Sequence, residues 1–417
     1  MEIIIIILSL LYIFYLLFEK INLDKNRKNL KYIIHINGIR GKSTVSRLID
    51  AGLRAGGYKV FTKTTGTSPR IIDADAKEFE INRQGKANIR EQIKAINWAS
   101  KEKAEILILE CMAVKPELQY ICENKILKSD IVAITNVRKD HLDEMGDNLD
   151  KIAESLSNTI PKKAIFFTTD QNYFNFFKNK CEKKETKAVL SKNIKNEYWE
   201  IDFPTNIALA IDICKYLNID KKVALEGMKS YHKDPGSLKI LTYLNKKNFR
   251  IFFVNTLAAN DPDSTEIILD RVSTKTYWNN ERYLLVNNRV DRLSRLEQFV
   301  TFTIKFENKF DKILISGENK NLFYKYLLKN GMDKNRIIIL LDEEYFENIE
   351  EDSLIFAVGN ICRLGKKLVD YFEERGEIID DKWNNGIRSY FKYSFLWNHR
   401  NFSRRSYCSS LFCSLLR

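Results

Sequence analysis

The sequence predicts an α/β architecture: a P-loop-type parallel-sheet domain, then a smaller Rossmann-like α/β domain, both behind a membrane-anchored amino terminus. Three observations predict it. Apolar, β-branched runs alternate with amphipathic stretches along most of the chain, the pattern of parallel α/β folds. A glycine turn carrying a lysine and two hydroxyls, "HINGIRGKST" (residues 35–44), stands between a strand-like and a helix-like segment. The chain opens on a long run without charge.

That run, "IIIIILSLLYIFYLLF", extends from Ile3 to Phe18. With the two residues before it, it makes about 18 residues, or roughly 27 Å of helix, close to the ~30 Å of a hydrocarbon core. No positive residue precedes it and no small-residue cleavage site follows, so it does not read as a signal peptide. Residues 1–20 are expected to be a single-pass anchor in the cell membrane. Lys20, Lys25, Arg27, Lys28 and Lys31 come next. By the positive-inside tendency, they place the rest of the chain in the cytoplasm.

The first α/β domain is expected over residues 21–235. "KYIIHIN" reads as a strand. "KSTVSRLIDAGLRAGG" reads as a helix with Val45, Leu48, Ile49 and Leu53 on one face and Gly56-Gly57 as its stop. "YKVFT" is a short strand and "ANIREQIKAINWASKEK" a helix; "EILILEC", "DIVAITNV" and "AIFFTT" are buried strands. The Asp234-Pro235-Gly236 turn is a candidate hinge. A second domain, residues 236–378, comes after it with strands "FRIFFVN", "RYLLVNN", "KILISG", "RIIILL" and "SLIFAVG". Residues 379–417 form a basic, serine-rich tail in which nothing from Trp383 onward is acidic.

Composition narrows the function classes. The 417 residues carry a net charge of +13 and are 44% hydrophobic, which suits a globular chain with a sizeable core. No Lys/Arg stripe interleaved with aromatics appears, so nucleic acid is not an expected partner. The seven cysteines (111, 122, 181, 214, 362, 408 and 413) include no CxxC pair. They suit reduced cytosolic thiols rather than a disulfide framework or a zinc site.

Four constellations carry chemistry. In the first, backbone N–H groups around Gly38, Arg40 and Gly41 and the following helix N-terminus attract phosphate oxygens. Lys42 would reach the terminal phosphates, and Ser43 or Thr44 would ligate Mg²⁺. In the second, Glu110 closes the buried strand "ILILE", where a carboxylate is placed to hold a metal. In the third, "TNVRKDHLDEMG" (residues 135–146) packs Asn136, Asp140, His141 and Asp143 into one loop. Hard oxygens with one imidazole suit a divalent ion near polyphosphate. In the fourth, "TLAANDPDST" (256–265) and "NNRVDR" (287–292) end strands of the second domain. Arg289 and Arg292 there would clamp carboxylates or a transferring phosphoryl group.

Together these motifs resemble the Mur-ligase family, whose ATP-binding domain has a short glycine–lysine phosphate loop, a magnesium-binding glutamate and an Asn-plus-DHLD segment. "TSPR" (67–70) is similar to a segment of folylpolyglutamate synthetases. "PTNIALAI" (204–211) is similar to the segment in which these ligases place an asparagine near adenine, here Asn206. "GIRGKST", "KTTGT", "ECMA", "TNVRKDHLDEMG", "ANDPDST", "NNRVDR" and the late "VGN" jointly resemble the ligase subunits of poly-γ-glutamate synthases. That resemblance covers residues 1 to about 378.

The resemblance implies Mur-ligase central and C-terminal domains, ATP and Mg²⁺ as cofactors, and Ser43, Glu110 and His141 as metal ligands. It implies amide formation between the γ-carboxyl of one glutamate and the α-amine of the next. Glutamate, the growing polyglutamate, the membrane and small membrane subunits are then the partners. Lys42, Glu110, His141, Arg289 and Arg292 are the expected catalytic residues. Gly38, Arg40, Gly41, Lys42, Ser43, Thr44, Asn136 and Asn206 are the expected nucleotide site. Two rival readings stand beside this one: a membrane-anchored nucleotide-binding regulator, and a Mur- or folylpolyglutamate-like ligase with a different acceptor.

Overall fold

The structure is a computed structural model that describes residues 2–65, 69–83, 85, 87–192, 194–233, 238–257, 261–289, 293–361 and 363–379. The Asp234-Pro235-Gly236 hinge, Thr67 and Ser68 of the "TSPR" segment, Arg292 and the tail from residue 380 lie outside the described residues. The chain divides into two compact units. The first runs to Leu238 and also takes in Thr256–Ile268 and Val358–Ile361; the second holds Lys239–Asn255, Leu269–Ala357 and residues 363–379.

The first unit opens with α1 (Glu2–Lys28), β1 (Tyr32–Asn37), α2 (Lys42–Ala55), β2 (Val60–Thr64), β3 (Arg70–Ile72) and β4 (Glu78–Glu80). It continues with α3 (Glu91–Lys101), β5 (Ile106–Glu110), α4 (Pro116–Ile121), β6 (Ile131–Ile134), α5 (Leu142–Met145) and α6 (Leu149–Ser157). β7 (Ile165–Thr168), α7 (Phe174–Glu182), β8 (Lys187–Leu190), α8 (Pro204–Tyr216) and α9 (Lys221–Lys229) complete it. The strands form one sheet in the order β4-β3-β2-β5-β1-β6-β7-β8. β5 and β6 are buried at every residue and β1 at all but its first, because helices cover both faces. α2 buries Val45, Leu48, Ile49 and Leu53, the stripe its spacing predicts, against α8 and α9.

The expected parallel sheet is in fact mixed. β2–β3 and β3–β4 pair antiparallel, while β2, β5, β1, β6, β7 and β8 are parallel. The β3–β4 hairpin is closed by Asp73, whose Oδ1 accepts from the amides of Asp75 and Lys77, both at 2.9 Å. Its strands are three residues each and β4 is largely exposed, so they carry little periodicity to read. α1 also differs from the expected 1–20 segment: nothing breaks the helix after Phe18, and it continues to Lys28. Leu23 is buried beside Ala95, Ile96 and Ala99. Among the described residues α1 is the one helix long and apolar enough to cross a membrane.

The remainder of the chain forms β9 (Lys239–Leu244), β10 (Arg250–Asn255), α10 (Pro262–Val272, which belongs to the first unit up to Ile268), β11 (Glu281–Asn288), α11 (Leu293–Lys305) and β12 (Lys312–Gly317). α12 (Lys320–Lys329), β13 (Ile337–Ile339), β14 (Ser353–Gly359), α13 (Leu364–Arg375) and β15 (Glu377–Ile378) come after them. Its sheet order is β13-β12-β11-β14-β10-β9-β15. β9 pairs antiparallel with both β10 and β15, so this sheet too is mixed at one edge. Asn245 shapes the β9–β10 turn: its Oδ1 accepts from the amides of Lys247 and Phe249.

Candidate active site

The loop from Gly38 to Gly41 joins the carboxyl end of β1 to the amino end of α2. It depends on two glycines. Gly38 has φ +121° and Gly41 φ +81°, both in the region that disfavours side chains. Space gives a second reason: a Cβ on Gly38 would stand 2.1 Å from Thr135 Oγ1, and one on Gly41 2.7 Å from Asn206 Oδ1. The segment after β6 braces the loop. Asn136 accepts from the Arg40 amide through Oδ1 at 3.0 Å and donates to the Arg40 carbonyl through Nδ2 at 3.0 Å. Thr135 Oγ1 donates to the same carbonyl at 2.6 Å. Asn136 therefore shapes the loop, and Asn206, at the start of α8, packs against Gly41.

No side chain caps α2, whose N-cap is Gly41. Its first-turn amides are thus left for another acceptor, and the helix N-terminus favours an anion. Lys42 Nζ donates to the carbonyls of Gly38 at 2.8 Å and Ile39 at 3.2 Å. Burial lowers its pKa, with the Glu110 carboxylate opposing that shift. Thr44 lies in the same first turn.

Ser43 Oγ donates to Glu110 Oε2 at 2.8 Å, and the Thr65 amide donates to the same oxygen at 2.7 Å. Glu110 is buried at the end of β5. A hydroxyl and a carboxylate side by side are hard oxygen donors of the kind Mg²⁺ accepts while keeping several waters, so this pair fits that ion by its chemistry. Among the described residues no group of three or more His, Cys, Asp and Glu side chains forms a metal cage. His141 is the N-cap residue of α5 with φ +51°, and its Nε2 lies 3.8 Å from Asp140 Oδ2.

Sequence reasoning missed what surrounds these groups. Arg40 bridges two carboxylates, Asp140 at 2.8 Å and Asp261 at 3.0 Å. Arg138 also reaches Asp261, at 3.3 Å, and Ser264. Lys63, on β2, is buried and pairs with Glu91 at 3.3 Å; Glu91 is also held by Arg83 at 2.9 and 3.0 Å. A signal for Lys63 existed, since a lysine inside a buried parallel strand is rare without a partner. Arg289 lies in the second unit after β11, with its carbonyl accepting from Asn319 Nδ2 at 2.9 Å.

Two known families match the chain. Residues 36–229 match the Mur ligase middle domain and residues 240–375 the poly-gamma-glutamate synthase CapB C-terminal domain. The chain is similar to the capsule biosynthesis protein CapB of Bacillus anthracis, 34% identical over 84% of this chain and 78% of that one. It is similar to PGA synthase CapB of Bacillus subtilis, 35% identical over 85% of this chain and 94% of that one. Its fold is shared with a folylpolyglutamate synthase/dihydrofolate synthase from Yersinia pestis, solved with AMPPNP and a Mn ion. That likeness has a TM-score of 0.61 and 12% identity over 85% of this chain and 92% of the other. The two-unit α/β architecture, the braced glycine loop and identity above a third along most of two CapB proteins agree: the chain belongs to the CapB family of poly-γ-glutamate synthases, with a Mur-ligase-like fold.

Proposed function

We propose that the protein is an ATP-dependent amide ligase that extends poly-γ-glutamate at the membrane, anchored by α1 with its α/β units in the cytoplasm. A carboxylate does not acylate an amine at neutral pH, because its oxygen is a poor leaving group. In the proposed reaction a glutamate γ-carboxylate oxygen attacks the γ-phosphorus of ATP and ADP departs. The α-amine of a second glutamate then attacks the acyl carbon, inorganic phosphate leaves with the C–O bond electrons, and the amine loses a proton. An amide remains.

One observation carries this reading: a braced glycine loop presents Lys42 and an uncapped helix N-terminus beside the Ser43–Glu110 oxygen pair. Gly38, Gly41, Lys42 and the first-turn amides, with Ser43 and Thr44, would hold the phosphates, while Arg40 and Asn136 keep the loop in shape. Asn206 borders the loop where a nucleotide would extend. Ser43 and Glu110, with His141, are the candidate ligands of Mg²⁺, which supplies charge neutralisation at the phosphates when bound. Arg289 and Arg292 are proposed to orient substrate carboxylates or the phosphoryl group. Small membrane subunits are the proposed protein partners, and no nucleic acid is involved.

The test is ATP-dependent glutamyl hydroxamate formation, with hydroxylamine as the trapping amine, in membranes holding the protein or its Lys42→Ala variant. Glutamate-dependent hydroxamate that disappears in the variant is expected. ADP release without hydroxamate would overturn carboxylate activation in favour of a nucleotide-driven regulator or a different carboxylate.

A further inference from the structure

Three contacts align the amino-terminal helix with the first unit. Arg90 donates to Glu19, Asn26 Nδ2 to Asn97 Oδ1 at 2.8 Å, and Asn29 Nδ2 to Ser100 Oγ at 2.9 Å. Each joins residues 71 apart. A constant difference means that α1 and α3 run parallel, side by side; an antiparallel pair would hold the sum constant instead.

α3 in turn runs antiparallel to the strands it covers. Its first turn lies at their carboxyl ends, where Gln92 Nε2 donates to the Glu110 carbonyl at 3.0 Å and Glu91 pairs with Lys63. Its far end lies at their amino ends, where Lys59 Nζ donates to the Glu102 carbonyl at 2.8 Å and the Glu105 amide to the Lys59 carbonyl at 2.8 Å. The amino end of α1 therefore leaves the unit from the carboxyl edge of the sheet. That edge carries the glycine loop, Glu110 and the Asn136–His141 segment.

Beyond Glu19 the helix is exposed from Ile3 to Phe18. Apart from Ser9 those residues are apolar or aromatic all round, without the polar face a helix seated on a soluble surface would show. Glu2–Phe18 rises roughly 25 Å, close to the thickness of a hydrocarbon core. Lys20 and the half-exposed Arg90 lie at its base, where cations meet anionic headgroups.

We infer that the carboxyl edge of the first sheet, with its catalytic loops, faces the phospholipid bilayer, and that the opposite edge points to the cytosol. This rests on reading α1 as a membrane anchor. The level of Glu19 is that of Arg90, about 3 Å along α3 from Gln92, which touches Glu110. The far end of α3 at Lys101 is about 16 Å deeper into the cytosol, and an ordinary helix tilt of about 20° shortens that by little. An acidic polymer made at this edge emerges at the membrane surface rather than in open cytosol.

The full-length protein in phosphatidylcholine–phosphatidylglycerol vesicles provides the test. Bimane is placed on Lys115→Cys, in the loop after β5, or on Lys101→Cys, the last residue of α3; both positions are exposed. Lipids with a headgroup nitroxide quench it. Cys111, Cys122, Cys181 and Cys214 are buried, and the parent chain labelled in parallel corrects for any native-thiol signal. The label at 115 is expected to be quenched about twofold or more over the label at 101, since Lys115 follows the carboxyl end of β5 whereas Lys101 ends α3 at the opposite edge of the sheet. Equal or reversed quenching on vesicle-bound protein overturns the orientation while leaving the anchor intact. Protein that does not float with the vesicles overturns both.

Discussion

Gly38→Ala separates the two reasons for a glycine at the start of the Gly38–Gly41 loop. At φ +121° an alanine is strained wherever it sits, at a cost of about 1–3 kcal/mol. Its Cβ would also meet Thr135 Oγ1 at 2.1 Å, the Thr135 amide nitrogen at 2.8 Å and the Asn136 amide nitrogen at 3.1 Å. The hydroxyl cannot turn away without losing its bond to the Arg40 carbonyl, and the two amides are backbone. Overpacking of this kind adds about 1–3 kcal/mol, for a total of about 2–6. Gly57→Ala is the control. Gly57 has φ +90°, ends α2, and has nothing within 4 Å of its added Cβ, so only a backbone cost of about 1–2 kcal/mol applies. Hydrogen exchange over residues 32–55 in detergent-solubilised protein reads the first unit alone. Protection there should fall roughly 30-fold or more for Gly38→Ala and only about 5- to 30-fold for Gly57→Ala, since about 1.4 kcal/mol is a factor of ten. If Gly38→Ala loses no more protection than Gly57→Ala, the close approach of the two loops is not what selects glycine.

His35 and Glu123 are buried and 2.7 Å apart. Burial alone would lower the His35 pKa, but the Cys111 thiol and the Glu123 carboxylate outweigh it and push it up to about 10. The folded state thus holds its proton more tightly than the unfolded chain. The pair's contribution is full below about pH 6.5 and fades as pH rises toward 10; the melting temperature of Glu123→Gln minus that of the parent, followed from pH 6 to 10, should shrink over that window, and a flat difference would refute the assignment. Arg47 is buried, pairs with Glu78 at 2.6 Å and donates to the His232 carbonyl at 3.0 Å. Arg47→Ala should cost about 3 kcal/mol, the low end for a broken buried pair because Glu78 is partly exposed, and lower the melting temperature by roughly 6–12 °C. Arg40→Lys keeps the charge but not the fork that spans Asp140 and Asp261, so nucleotide binding measured by titration should weaken nearly as much as in Arg40→Ala.

The parts legible in the sequence were those with local causes. α2 could be read from its stripe of Val45, Leu48, Ile49 and Leu53, and its end from two glycines. The strands β1, β5 and β6 showed because burial on both faces leaves uninterrupted apolar runs. β3 and β4 did not, since an Asp73 side chain rather than a hydrophobic pattern makes their hairpin. The site divided the same way. Ser43 and Glu110 could each be named from position at a helix start and a strand end, and the fold brings them to 2.8 Å. The partners of Arg40 could not be named, because Asp140 lies 100 residues away and Asp261 beyond a second sheet's first strands. Asn136 is expected at the nucleotide from the sequence, and its amide bonds both backbone groups of Arg40, a commitment only the tertiary structure reveals.

Those commitments separate two positive charges that are adjacent in the loop. Arg40 and Lys42 stand two residues apart, yet Arg40 is matched by two carboxylates and Lys42 by two backbone carbonyls. A guanidinium between two aspartates is close to neutralised and serves as a strut that ties the β6 segment and the Asp261 segment to the loop. An ammonium on carbonyl dipoles keeps its net charge, and burial makes that charge costly to hold; this is the direction in which its pKa moves. An arriving phosphate offsets that cost at Lys42 but gains little at Arg40. In the proposed reaction the loop would therefore concentrate its attraction for an anion on Lys42 and the uncapped first turn of α2, beside Glu110 and at the edge from which α1 departs.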